Sequence, residues 1–440
     1  MGYGLFHEGW DDNMKRIGVC ILGCRVNQSE GESLLEYFKD DGFVVVPFEE
    51  PAEVYLIHTC TVTGQADAKS RQMIRKAKRT NPKGQVIVTG CYAQTQPGAL
   101  LDMPEADLVI GMKDREKILD LLSGVTENRV HVFEMDRNET YENLITPKSD
   151  RTRGFLKIEE GCDSYCTYCI IPIARGPVRS RPLEDVMDEI RNLEDRGIHE
   201  IVLTGIHTGA YGKDLGITLA HLMETILKET QMPRIRFGSL DPNEITPEFL
   251  ESFGNERFMP HIHLALQSGD DEILSLMKRR YDTTNYLDVV QKLRGRKGRE
   301  LSITTDIMVG FPQEKPWHHK VSMDFIRKVG IDNLHIFKYS KRQGTKAADY
   351  PGQVDEVSKR ERAQDMGLLK DAIHGDFMDR FIGEDLRVLV EKVTGRYGEG
   401  YSDNFLRVGF EYTADSLKEN EVVTVAIKRR EHDLLIGDLK

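Results

Sequence analysis

Short apolar runs rich in β-branched residues occur at Arg16–Leu22, Phe43–Val46, Val54–Ile57, Gln85–Thr89 and Asp107–Ile110, and they read as strands. Between them the spacing of apolar positions changes to a helical period over Ser29–Asp40, Asp67–Arg79 and Asp114–Leu122. Strand and helix in alternation predict an open, mostly parallel α/β sheet over residues 14–125. From Thr126 to Arg153 the chain is polar, contains Pro147 and loses periodicity, so residues 126–152 are expected to be a linker. A second alternating series follows, with strands expected at Phe155–Glu159, Glu200–Gly205, Arg234–Leu240, His261–Gln267, Leu301–Val309 and Leu334–Tyr339. Helical patterns such as Leu183–Asp195 and Tyr286–Leu293 fill the gaps. Six such units fall short of the eight that close a barrel, so residues 153–380 are expected to form an open (β/α)6 partial barrel. A charged helix near Val357–Phe377 leads into alternating runs at Leu386–Val393, Asn404–Phe410 and Val422–Arg429, which suit a small five-stranded β-barrel over residues 381–440.

Composition narrows this picture. A chain of 440 residues carries 60 Lys and Arg against 72 Asp and Glu, a net charge of −12, so any nucleic-acid contact has to come from local basic patches. No run approaches the roughly 18 apolar residues of a membrane span, and Met1–Asn13, with Glu8, Asp11 and Asp12, lacks the pattern of a targeting signal. A cytoplasmic protein without membrane association is expected. Seven cysteines in a reducing compartment read as buried apolar side chains or metal ligands rather than disulfides.

Their placement carries the chemistry. Cys162, Cys166 and Cys169 directly follow the first strand of the second series, at the mouth where barrel active sites lie. Three thiolates on one loop can hold three irons of a [4Fe–4S] cluster and leave the fourth open to a substrate or cofactor. A structural zinc is the alternative, but it normally takes four ligands, and the next histidine in sequence, His199, is distant. The spacing C-x-x-x-C-x-x-C, with Tyr168 before the last cysteine, resembles the signature of radical S-adenosylmethionine enzymes. Cys24, Cys60 and Cys91 each follow a strand of the first series. The carboxyl ends of such strands line one crevice, so the three are expected to converge on a second metal centre. Cys20 lies within a strand and reads as core.

Together these features resemble the radical S-adenosylmethionine methylthiotransferases, which pair a flavodoxin-like first domain with a radical barrel and a terminal TRAM barrel. Matching segments are Gly161–Arg181, Ile201–Gly209, Ser239–Pro242, Leu266–Gly269, Asp306–Pro312 and Tyr401–Val408. Thr59–Thr63 followed by Lys69–Arg75 is similar to the branch that modifies N6-threonylcarbamoyladenosine beside the tRNA anticodon. The resemblance implies two [4Fe–4S] clusters and S-adenosylmethionine, one molecule of which supplies a methyl group while a second is cleaved to a 5′-deoxyadenosyl radical that takes hydrogen from adenine C2. It also implies an electron donor such as a flavodoxin or ferredoxin. Other readings are a methylthiotransferase acting on isopentenyladenosine or a ribosomal-protein side chain, a radical enzyme with an auxiliary electron-transfer cluster, and a zinc-containing RNA-binding protein.

Candidate cofactor-binding residues are Tyr168 beside the cluster and Gly205, Ser239, Gln267 and Asp306 at later strand ends. Gly205 also suits a tight turn, Asp306 a helix cap or an ion pair, and His207 and His263 structural hydrogen bonds. Candidate RNA contacts are Arg71 and Arg75 in a stretch from Lys69 to Arg79 without acidic residues, Arg175 and Arg179 past the cluster loop, and Arg279 and Arg280. Lys428-Arg429-Arg430 adds a basic group in the terminal barrel. The sequence departs from the family at His58, where Asn is usual, at Asp241, where Glu is usual, at Ala265, where Pro is usual, and at Gln313-Glu314-Lys315, where Gly-Glu-Thr is usual.

Overall fold

The first alternating series folds as expected. A computed structural model describes residues 15–124, 129–136, 140–144, 152–412 and 417–440. Its first sheet is parallel throughout and runs β2 (Val44–Val46), β1 (Arg16–Ile21), β3 (Val54–Thr59), β4 (Gln85–Gly90), β5 (Leu108–Ile110), β6 (Val130–His131). Every residue of β3 is buried because helices cover both faces. Tyr55 and Ile57 pack with Met73 and Ile74 of α2 (Gly64–Thr80), while Val54 and Leu56 pack with Leu34 and Phe38 of α1 (Arg25–Asp40). The order reverses between β1 and β3, and at such a switch point the connections leave in opposite directions and open a crevice at the strand ends. The linker expectation needs correction, because β6 comes from within it and extends the sheet beside β5. Pro147 and the segment Met1–Asn13 lie outside the described residues.

Among the described residues the chain divides into two units. One takes residues 1–148 with Ile170–Pro177, and the other takes Ser149–Cys169 with Val178–Lys440. The chain thus leaves the second unit directly after Cys169 and returns at Val178.

In the second unit β7 (Arg153–Lys157) is followed by a short antiparallel pair, β8 (Glu159–Glu160) with β9 (Arg179–Ser180). Next come β10 (Glu200–Thr204), β11 (Arg234–Phe237), β12 (Ser239–Leu240), β13 (His261–Leu264), β14 (Ser302–Val309) and β15 (Asn333–Lys338). They form two parallel ladders, β7-β10-β11 and β12-β13-β14-β15. The strand expected over Arg234–Leu240 is broken at Gly238, whose N–H donates to Leu203 O (2.8 Å) while the residues beyond it pair with β13. The strand expected to reach Gln267 ends at Leu264, and Gln267 takes a left-handed backbone (φ +68°). Counting β11 and β12 as one interrupted strand leaves six parallel strands around a single apolar core that includes Leu156, Leu203, Phe237, Ile262, Ile303 and Leu334.

Helix Glu356–Asp379, capped by Asp355, leads to a closed barrel of β16 (Asp385–Thr394), β17 (Tyr397–Ser402), β18 (Arg407–Glu411), β19 (Val422–Glu431) and β20 (Leu434–Leu439). Residues Asn404–Leu406, expected in a strand, are instead part of the β17–β18 turn. That turn sits against the starts of the first barrel strands. Arg236 donates to Ser402 O and Asp403 O (2.8 Å each), Arg234 pairs with Asp403, and the Phe405 ring lies 4.8 Å from that of His261. Glu200, itself buried, balances Arg234 (2.8 Å) and Arg236 (2.9 Å), so these buried guanidinium groups have partners.

Candidate functional site

At the opposite ends of the barrel strands, the loop after β7 carries Cys162, Cys166 and Cys169, all partly buried. Two cationic side chains address its sulfurs. His207, just past β10, places Nδ1 3.7 Å from Cys162 Sγ and is held on its other nitrogen by Glu244. Burial works against ionisation of the Cys162 thiol, yet the His207 hydrogen bond and charge and the Ser164 N–H outweigh it and hold the thiol below its usual range. For His207 burial likewise opposes the charged form, but Cys162 and Glu244 overcome it and raise the imidazolium to about 11. Arg279 donates to Cys166 Sγ (3.2 Å), pairs with Asp241 and lies over the Tyr281 ring. A cavity of about 450 Å³ opens beside this loop, lined among others by Cys166, His207, Asp241, Glu244, Arg279 and Arg280. Arranged this way, the sulfurs of Cys162 and Cys166 each have a cationic hydrogen-bond partner, the kind of support that metal-binding thiolates use.

The other expected barrel residues are more spread out. The Tyr168 ring packs edge-on against Phe311 (6.4 Å). Gly205 is small for a local reason: a Cβ there would meet Glu159 Oε2 at 2.7 Å, and that carboxylate accepts the His207 N–H (2.7 Å). Ser239 is exposed at the start of β12. Asp306 faces His263 (3.3 Å), whose other ring nitrogen meets Thr304 Oγ1 (3.0 Å), so both form an interstrand polar cluster. Gln267 meets the same strand through its backbone, donating to Asp306 O and accepting from Met308 N. At the departure near Gly310, Gln313 adopts φ +71°, where the family usually has glycine, and buried Glu314 accepts the Gly310 N–H (3.0 Å).

The first unit gathers its cysteines around the switch point. Cys24 caps α1 after β1, Cys60 follows β3, and Cys91 begins α3 (Cys91–Thr95) after β4. Gly23 has φ +106°, and a Cβ on it would lie 2.8 Å from Cys60 Cβ, so glycine permits the approach of Cys24 and Cys60. Burial raises the Cys91 thiol to about 11, with further upward pressure from Cys24 and Cys60. Cys60 and Cys91 are buried and Cys24 is exposed, and buried thiols are charged when a cation neutralises them, as a metal does for its coordinating thiols. Asn27 sits at the centre, donating to Leu22 O (2.7 Å) and Thr59 O (3.0 Å) and accepting from Cys24 Sγ (3.6 Å). Cys20 packs against the core on the α2 side, and burial raises its thiol to about 11. Among the described residues no group of three His, Cys, Asp or Glu side chains is placed to hold a single metal ion. Each thiolate of a cubane takes a different iron, so a cluster does not need that placement.

Burial corrects half of the RNA-contact set. Arg175 is fully buried on Glu30 (2.8 Å), Arg179 is 4% exposed and faces Glu160 (3.7 Å), and the Arg279 side chain is 8% exposed between Cys166 and Asp241. A guanidinium spent on buried partners is not offered to a phosphate. Arg71 is half-buried and donates to Tyr92 OH (2.9 Å), whereas Arg75 and Arg280 are exposed. His207, Glu244 and Glu30 were not among the expected site residues. His207 and Glu244 do follow strand ends, a usable signal, whereas Glu30 reads as one more polar position of an amphipathic helix.

Residues 16–111 match the uncharacterized protein family UPF0004, and residues 156–326 match the radical SAM superfamily. The threonylcarbamoyladenosine tRNA methylthiotransferase MtaB of Bacillus subtilis is 39% identical over 94% of both chains. The protein of the same name from Aquifex aeolicus is 38% identical over 88% of this chain and 96% of its own. The radical S-adenosylmethionine methyltransferase TsrM from Kitasatospora setae shares the fold, with a TM-score of 0.58 and 15% identity over 76% of this chain and 77% of its own. With such identity over nearly its whole length, the chain belongs to the threonylcarbamoyladenosine tRNA methylthiotransferase family of radical SAM enzymes.

Proposed function

We propose that this chain adds a methylthio group to C2 of N6-threonylcarbamoyladenosine in tRNA, consuming two molecules of S-adenosylmethionine per turnover. The observation that supports this reading best is the presence of two separate cysteine triads, each at the carboxyl ends of parallel strands, in a chain of this family. Cys162, Cys166 and Cys169 would hold one [4Fe–4S] cluster, and Cys24, Cys60 and Cys91 the other. When bound, the barrel cluster with S-adenosylmethionine supplies hydrogen abstraction, and the N-terminal cluster carries the sulfur.

The chain's own residues prepare that chemistry. His207, held by Glu244, holds the Cys162 thiol below its usual range, and Arg279, held by Asp241, donates a hydrogen bond to Cys166 Sγ. Tyr168, Gly205, Ser239, Gln267 and Asp306 are proposed to shape the cofactor site. The target base must leave its stack to reach any of these groups. Exposed Arg75, Arg280, Lys428 and Arg429 are suited to hold the phosphate backbone. No helix among the described residues is long and apolar enough to cross a membrane. A cytoplasmic location and a flavodoxin or ferredoxin as electron donor complete the proposal.

The test is anaerobic reconstitution with iron and sulfide beside a Cys162/Cys166/Cys169 triple-alanine variant, followed by assay on tRNA carrying the modified adenosine. About eight irons per chain, falling to about four in the variant, with methylthio product from the parent alone, is expected. Zinc without sulfide would overturn the reading.

A further inference from the structure

In the first unit, Arg175 completes the three-cysteine crevice from the segment Ile170–Pro177. Its guanidinium is held at both terminal nitrogens. One donates to Glu30 Oε1 (2.9 Å), and the other to Glu30 Oε2 (2.8 Å) and Asn27 Oδ1 (2.7 Å). With the fork fixed in this way the Nε–H has a single direction, and it donates to Cys91 Sγ at 3.4 Å. Asn27, which receives the same guanidinium, ties the ends of β1 and β3 together just before Cys24 and Cys60. Arg175 therefore reaches all three cysteine-bearing strand ends, one directly and two through one amide. Glu30 is also shared with Arg115 (3.2 Å) and His58 (3.4 Å), the residue that stands where the family usually has asparagine. A buried cation with this many fixed bonds does not move when the charge of its neighbours changes.

We propose that Arg175 is a positioning residue for the N-terminal metal centre: it donates a charge-assisted hydrogen bond to the Cys91 sulfur and so sets the reduction potential of the cluster held there. Hydrogen bonds to cluster sulfurs and nearby positive charge favour the more negative, reduced state. Arg175 lies six residues after Cys169, so one short stretch of sequence carries both the last barrel ligand and the residue that tunes the other centre. This inference rests on the reading that Cys24, Cys60 and Cys91 hold a cluster.

The experiment uses the full chain with Cys162, Cys166 and Cys169 replaced by alanine, so that only the N-terminal centre reports. Arg175→Met, Arg175→Lys and Arg115→Met are compared by iron content, redox titration and the paramagnetic spectrum of the reduced state. Arg175→Met is expected to retain iron and to lower the reduced-to-oxidised ratio at fixed potential about tenfold, a shift of about 59 mV for a one-electron couple. Arg175→Lys should recover part of that shift, and Arg115→Met, which disturbs the same Glu30, should leave the ratio near the parent's. A parental potential and spectrum in Arg175→Met overturns the proposal, and so do equal shifts in Arg175→Met and Arg115→Met. If Arg175→Met holds no iron, Arg175→Lys decides: an altered potential supports the proposal, and a parental one overturns it. A triple-alanine parent that binds no iron would instead defeat the underlying reading of Cys24, Cys60 and Cys91.

Discussion

Cys162, Cys166 and Cys169 lie within eight residues of one loop, whereas Cys24, Cys60 and Cys91 are gathered from three strand ends across 68 residues. The loop needs little beyond its own spacing to bring its thiols together, and its cationic support comes from the same barrel, His207 just past β10 and Arg279 in the turn after helix Asp271–Leu276. The N-terminal triad instead depends on sheet topology. It exists because the strand order reverses between β1 and β3, because Gly23 lets two strand ends approach, and because Asn27 and Arg175 fill the space between them. A locally encoded site tolerates changes in the surrounding fold better than one assembled from distant parts. Substitutions can test that difference.

The largest contrast is expected from the ligands themselves. Cys166→Ala should reduce formation of 5′-deoxyadenosine to background and with it all methylthio product. Cys60→Ala should retain some cofactor cleavage while product is lost. Chromatography of the nucleoside products from single reactions separates the two outcomes. Methylthiolated adenosine from the Cys60 variant would break the comparison, because the second triad would then have no part in sulfur insertion.

Next in size are the residues that support the loop. His207→Asn removes the imidazolium that faces Cys162 and frees Glu244, and losses of 10–100-fold are typical when such supporting partners are removed from metal sites. Cofactor cleavage should fall by that factor, with the four irons of the N-terminal centre retained. A fall in both centres would show that the barrel site is less self-contained than its spacing suggests.

Gly23→Ala tests the topological site at its tightest point. A side chain at φ +106° costs about 1–3 kcal/mol, and its Cβ would also press on Cys60. Iron in the N-terminal centre should drop while that of the barrel stays near four, as measured in the single variant and again in the triple-alanine background.

What was readable in the sequence follows the same division. The six parallel strands, the cluster loop and the placement of three cysteines directly after strands all have periodic or spaced signals, whereas the reversal of strand order has none. The charged residues have none either. Arg175, Arg179 and Arg279 read as surface cations because nothing within a few residues reveals a buried partner, and Glu30 lies 145 positions from Arg175. The short segment Ile170–Pro177 carries no signal that it joins the first unit. β17, Tyr-Gly-Glu-Gly-Tyr-Ser, escapes β-propensity because it holds two glycines, and at Gly400 a Cβ would come within 1.9 Å of Leu389 O on the neighbouring strand. β6 is only two residues long and is visible only through its pairing with β5.

The smallest expected effect comes from Cys20, which shares β1's approach to the crevice with Cys24 but lies on the strand rather than beyond its end. It packs against the core that Tyr55, Met73 and Val86 form, and burial outweighs the nearby charges of Lys69 and Lys76 and raises its thiol to about 11. Cys20→Ala removes one partly buried sulfur, a loss of about 1 kcal/mol. Melting should begin a few degrees lower, while iron stays at about eight and both activities persist. Serine at the same position should cost more than alanine, because its hydroxyl would enter an apolar setting without an assigned partner. Loss of iron in the alanine variant would mean that the N-terminal centre draws on the strand itself, and the distinction between a strand-end ligand and a strand-interior thiol would fail.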